Sequence, residues 1–330
     1  MPRAELDPAL GIRVLGMREL RYGAPAHADD DRPDHVRAAS GLAFVPGHRS
    51  ESGGLHARHG RLAVIQDDAA FIGFVTAGEV SAHPLPRGAD GRRRFEVGLG
   101  NKMEKLDLEA CVGVGDELWA FGSGSTPARE KIAIVGYRTR LHDGAPLYRR
   151  LREEMSGPTA AESFRVPPVV NIEGATIVGD ELWLFHRGNT GPHDAGPAVF
   201  KLPRDAFALW LASDGPCPEV DSITPFELGT CGGARLGFTD AVAVGGRVFY
   251  LAAAEASPNA IDDGAVVASQ LGVIDGERVR ACDLVVAGAP LKAEGLAFDP
   301  DRPGHAWIAI DPDDVDQPAQ LYEIELIGPW

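Results

Sequence analysis

Basic side chains are scarce. Only 32 Lys and Arg stand against 48 Asp and Glu among 330 residues, a net charge of −16. Such a deficit argues against a nucleic-acid or anionic-membrane partner, because phosphate surfaces are held by clustered Lys and Arg. Apolar runs are short throughout, well below the roughly 18 residues that a membrane-spanning helix needs. The opening segment Met1–Asp7 has neither a basic n-region nor an apolar h-region, so no secretory leader is expected. Cysteines number four (Cys111, Cys217, Cys231, Cys282), widely spaced and without a C-x-x-C pair. That usage points to reduced thiols in a cytoplasmic protein, not to a disulfide framework or a zinc site. Neither Gly-x-Ser-x-Gly nor a Gly-Lys-Ser/Thr phosphate loop occurs, which removes the α/β-hydrolase nucleophile and the P-loop.

Turn formers are abundant: 40 Gly and 25 Pro, with 44% of residues still apolar. Ample core material cut by frequent turns predicts many short strands. Two segments make the pattern explicit. Leu108–Phe121 and Ile172–Phe185 both run Glu-Ala/Gly, an apolar stretch, Gly-Asp-Glu-Leu-Trp, with Glu109 and Glu173 each ten residues before the tryptophan. Looser copies begin at Ser40, Asp240 and Glu294. Each reads as a β-hairpin with glycine supplying positive φ at its turn. The anchors 40, 109, 173, 240 and 294 are 54 to 69 residues apart, which suits the four strands of a propeller blade.

The expected fold is therefore all-β, a five-bladed β-propeller forming one domain over 1–330. Third strands are expected at 70–76, 131–138, 198–202, 270–274 and 320–327, and short helices at 146–155 and 203–212. The last repeat lacks a fourth strand, and residues 11–20 would supply it, closing the ring and removing an open edge.

In such a disc the first strand of each blade lines the axis. Ser40, Glu109, Glu173, Asp240 and Glu294 should then ring one mouth of the channel. Crowded carboxylates at low dielectric cost several kcal/mol unless protons or a cation offset them. Hard oxygen ligands around an axis suit Ca²⁺, so one axial Ca²⁺ is the expected cofactor. The alternative is neutralisation by Lys105, Lys292, Arg129 and Arg187 as buried ion pairs. On the same face, the loop amides of Gly122–Ser125 could cradle an anion beside Arg129 and Arg187. The expected ligand is thus a small anionic molecule held by Ser123, Ser125, Arg129, Arg187, Asn189, Lys105 and Lys292. Trp119, Trp183 and Trp307 recur in register as blade-packing residues.

Over Lys105–Arg129, Asn171–Asn189, Gly237–Asn259 and Leu291–Asp314, the repeat resembles a family of uncharacterised bacterial β-propeller proteins. More remotely it is similar to phytase-like and gluconolactonase-like propellers, in which axial acids hold calcium. It also resembles the calcium-activated nucleotidases, five-bladed propellers with a serine and glutamate ring around one Ca²⁺. That resemblance implies ring roles for Ser40, Glu109, Glu173 and Glu294, with Asp240 standing where a serine is expected. The leading expectation is a calcium-dependent hydrolase of a small phosphoester, phosphoanhydride or lactone, with Asp240 and Glu173 as catalytic carboxylates. A non-catalytic binding propeller with a structural ion is the second reading, and a glycoside hydrolase with paired carboxylates the third. An aromatic content of 7% speaks against the third. The oligomeric state is left open.

Overall fold

The structure is a computed structural model that describes residues 1–45, 60–76, 79–160, 168–188, 196–213, 215–255 and 266–330. Four antiparallel sheets of four strands and a fifth, of six strands, form the five blades of a β-propeller. The innermost strands are Ala39–Val45, Leu108–Val114, Ile172–Val178, Ala234–Val244 and Ala293–Phe298, one per blade from blade 1 to blade 5. Each packs on the next, and the fifth returns to the first, so the ring is closed.

The Gly-Asp punctuation explains the first hairpins. Val114 pairs with Glu117 and Val178 with Glu181 across two-residue turns, with Gly115 at φ 57 and Gly179 at φ 60. A side chain strains that backbone region, so glycine is the residue of choice. The expected third strands form at 71–75, 131–135, 198–203, 266–275 and 320–327. The helices span Ala145–Ala160 and Arg204–Ala212.

Closure of blade 5 follows the sequence expectation. Gly11–Glu19 pairs antiparallel with Gln320–Ile327, joining the two ends of the chain in one sheet. A second N-terminal piece has no counterpart in that expectation: Ala4–Leu6 adds a parallel strand to the outer edge of blade 4, against Arg278–Asp283.

The core divides into five clusters, and each lies between two neighbouring blades. Trp119 is buried against Phe207 of the second helix, and Trp307 packs edge-on against Phe44 of blade 1. Trp183 packs by stacking beneath Lys201, whose Nζ lies 4.0 Å from the ring centroid. Apolar burial between blades therefore holds the disc together.

Candidate functional site at the axial mouth

Near its start in four blades, and midway along the longer strand of blade 4, every innermost strand carries a β-bulge that leaves one residue out of the ladder. The bulged residues are Ser40, Glu109, Glu173, Thr239 and Glu294. A bulge bends the strand and re-aims the extra side chain, which places these five around one mouth of the channel. The fourth member differs from expectation: Thr239 occupies the bulge, and Asp240 is the next residue. Counting back from the turn glycine finds the shift, because Glu109 precedes Gly115 by six residues and Thr239 precedes Gly245 by the same number. The ring thus has a hydroxyl in blade 4.

The hydroxyls and the carboxylates serve different ends. Ser40 Oγ donates to Leu108 O at 2.5 Å, and Thr239 Oγ1 donates to Ala293 O at 2.7 Å, each reaching the next blade. Asp240 takes the post-bulge place that Gly41, Gly174 and Gly295 occupy elsewhere. Its Oδ1 accepts from the Ala241 amide and its Oδ2 from the Leu296 amide, both at 2.7 Å, and the Leu42 amide donates to it as well. Burial pushes this carboxyl well above the usual range, against the pull of those amides. Asp240 therefore ties blades 4, 5 and 1 together and is removed from the expected metal and catalytic roles.

Glu109 stands in the densest group. One carboxylate oxygen from each of Asp67, Asp107 and Glu109 lies within 4.8 Å of the others. Asp67 follows the second strand of blade 1, and Asp107 precedes the first strand of blade 2 at a positive φ of 53. A hydrogen bond links the two aspartates. Burial raises Asp67 well above the carboxylate range, against Lys105 and with the charge of Asp107. Burial acts the same way on Asp107, but Lys105, the Asp67 hydrogen bond and Arg129 outweigh it and hold that carboxyl low. The two aspartates titrate as a coupled pair, Asp67 raised and Asp107 lowered. Glu109 is raised by burial and by the charges of Asp67, Asp107 and Glu173.

The basic residues are engaged by these acids. Lys105 bonds Asp67 and Asp107, the latter at 2.6 Å, and Arg129 reaches Asp107 at 2.9 Å. Arg187 binds Glu173 at 3.1 Å and Glu255 at 2.6 Å. Lys292 lies 4.0 Å from Glu294, 3.3 Å from Asp311, and against Asp313. Seven carboxylates thus meet four basic side chains, so neutralisation by ion pairs is extensive and still leaves acids in surplus. Asn171 Nδ2 also donates to Glu173 at 2.6 Å, and burial raises both Glu173 and Glu294.

The anion cradle does not form. Ser123 N donates to Asp107 O, Gly124 N to Arg129 O, and Ser125 N to Ser123 Oγ, so the loop amides are spent internally. Ser123 Oγ donates to Asp107 Oδ2 at 2.5 Å, and Arg129 Nη1 donates to Ser125 Oγ at 2.9 Å. With Lys105, Arg129 and Arg187 each bound to acids, the expected anion-holding set becomes part of the acidic network. Asn189 lies outside the described residues.

Beside the three-acid group opens a cavity of about 310 Å³, between blade 1, the segment 95–105 and blade 5. Asp67, Asp68, Glu96 and Asp311 line it together with Phe95 and Lys105. Asp68 has no mark of its own in the sequence, where it stands next to Asp67 in a polar loop. Its Oδ1 is buried without a hydrogen-bond partner, and Arg37 Nε lies 3.7 Å from Oδ2. Burial raises the Asp68 carboxyl to about 6, against the pull of Arg37.

Among the described residues no helix is long and apolar enough to cross a membrane. The four cysteines are free thiols, three buried and Cys231 exposed.

Among solved structures the chain is similar to the extracellular domain of a protein from B. thetaiotaomicron assigned as a one-component system (10% identity, TM-score 0.35). It covers 90% of this chain and 27% of that one, so the chain spans about a quarter of that protein's length. A GH43 glycoside hydrolase engineered for endo-xylanase and exo-arabinofuranosidase activity aligns at 12% identity and TM-score 0.44, over 94% of this chain and 52% of that one. A protein assigned as a gluconolactonase aligns at 10% identity and TM-score 0.39, over 98% and 96%. No curated protein sequence matches. A family model matches residues 47–326, and the chain belongs to that family, a family of unknown function (DUF6929).

Proposed function

We propose that the acidic mouth is a divalent-cation site, for Ca²⁺ in the first place, and that the protein hydrolyses a small uncharged ester or lactone in the adjoining cavity. The observation that carries this reading is the meeting of Asp67, Asp107 and Glu109 oxygens within 4.8 Å, with Asp107 buried and the other two half-buried. At an effective dielectric near 20, two charges about 4 Å apart repel by about 4 kcal/mol, so the group takes up positive charge readily. The donors are all hard oxygens, the set that Ca²⁺ prefers. Lys105 is the resident competitor. A bound cation would supply Lewis acidity toward a carbonyl oxygen of the substrate.

The other roles fall to the chain's own residues. Asp68, raised to about 6 and lining the cavity with an unpartnered oxygen, is suited to take a proton from water near neutral pH. Phe95 gives the cavity an apolar wall. The acidic lining disfavours an unaccompanied anion, which moves the expected substrate from phosphoesters toward lactones and neutral esters.

The test is a panel of lactones, esters and phosphoesters assayed with Ca²⁺ and with chelator. Turnover of a neutral substrate that chelation abolishes, and that Asp68→Asn lowers at least 100-fold, is the expected result. Calcium binding without turnover of any member would leave the ion a structural role and overturn the hydrolase.

A further inference from the structure

The channel has a second cavity at its other end. The acidic mouth lies where the innermost strands begin, whereas this space opens where they end, and its volume is about 440 Å³. Every blade supplies a wall: Leu42 and Phe44, then Val112, Ile177, Val242 and Phe298. Nothing in the sequence points here, because these positions look like ordinary strand residues.

We propose that this funnel binds an uncharged, apolar small molecule. The lining has few polar side chains, and its hydroxyl and carboxylate are already engaged. Its hydroxyl, Thr176 Oγ1, accepts from the Ala243 amide at 2.8 Å. Its carboxylate, Asp299, accepts from the amides of Asp301 and Arg302 and from Arg302 Nε at 2.6 Å. A polar or charged ligand would give up its water and gain few partners in return, a net cost of a few kcal/mol for each group left unpaired. An apolar ligand loses nothing and gains from removing its own surface and that of the walls from water, roughly 25 cal/mol per Å².

Shape argues for a small molecule over a protein segment. The walls come from all five blades and converge around the axis, forming a socket and not a strip along the surface. The volume falls within the roughly 300–1,000 Å³ of small-molecule pockets. Rigidity keeps it open. Each wall is a strand fixed in its ladder, and Asp240 pulls the Leu42, Ala241 and Leu296 backbones together at the inner end. Such a preformed hollow is poorly hydrated and does not collapse to cover its own surface.

The site is independent of the acidic mouth and can be tested separately from it. The uncharged fluorophore N-phenyl-1-naphthylamine is titrated into the full chain, with and without chelator. The expected result is saturable enhancement with one probe per chain, unchanged by chelator and weakened at least tenfold in both Ala243→Trp and Val242→Asp. In the unmodified protein, methyl NMR should show probe-induced shifts at Val112, Ile177 and Val242, a reading that needs no variant to fold. Absence of enhancement, equal enhancement in both variants, or shifts confined to other methyls would overturn the proposal.

Discussion

The two ends of the axial channel are made from the same five strands and could hardly differ more. At one end the bulges present Ser, Glu, Glu, Thr and Glu, backed by Asp67, Asp107 and four basic residues. A few residues further along each strand the regular pleat returns, and the lining becomes Leu42, Val112, Ile177, Val242 and Phe298. The ladder can spare a residue at a bulge, so that position is free to carry a charge, while the pleated positions stay committed to packing. Distance from the bulge therefore decides what each residue does, and one step is enough: Thr239 belongs to the ring, while Asp240 binds backbone amides.

The largest effect is expected from breaking the acidic end. Arg187→Ala strands Glu173 and Glu255 in a buried site, and removing one partner of such a pair costs about 3–5 kcal/mol. Urea unfolding would check it; a loss under 1 kcal/mol would mean that the mouth is wet and its charges screened. The next effect concerns pH. Asp68, at about 6 in the fold against an ordinary value of 3.8, holds its proton through that window. A raised carboxyl favours the folded state at the acid side, so stability falls as pH rises from about 4 to 6, by on the order of 3 kcal/mol. Asp68→Asn should remove that slope; melting curves with the same pH dependence for both proteins would refute the assignment.

Between the two ends, Asp240→Asn should cost about 1–3 kcal/mol. Both carboxylate oxygens accept amide hydrogens, so whichever way the substituted carboxamide turned, its NH₂ would face an N–H. Hydrogen exchange at Leu296 should speed up with it, whereas unaltered protection there would contradict the clasp. The smallest effect is Thr239→Val, which loses one buried hydrogen bond to Ala293 O, about 1 kcal/mol. If it proved costlier than Asp240→Asn, the division between ring and clasp would be wrong.

Much of this is legible in the sequence because the repeat is written in turn residues and alternating apolar strands, which are local signals. The blade count, the closure by residues 11–20 and the ring positions Ser40, Glu109, Glu173 and Glu294 all follow from them. The fourth ring position misleads because blade 4 lacks the Glu-Gly pair, and a carboxylate draws attention away from the threonine before it. Asp107 and Asp68 do not stand out because their roles arise from loops of different blades meeting at one cavity, a juxtaposition without local periodicity. The basic residues can be named from the chain, but which acids they bind depends on side-chain geometry that spacing does not carry. The apolar funnel is invisible for the opposite reason: Val and Ile in a strand read as core.

The central claim is that the bulges gather an acidic mouth able to take a divalent ion, and calorimetric titration of Ca²⁺ into chelator-treated protein tests it most directly. The account predicts one saturable site per chain that Glu109→Gln abolishes while the melting temperature of the calcium-free protein holds or rises, since a half-buried, charge-crowded glutamate has been made neutral. No heat of binding in the unmodified protein, or binding that Glu109→Gln leaves intact, would contradict it.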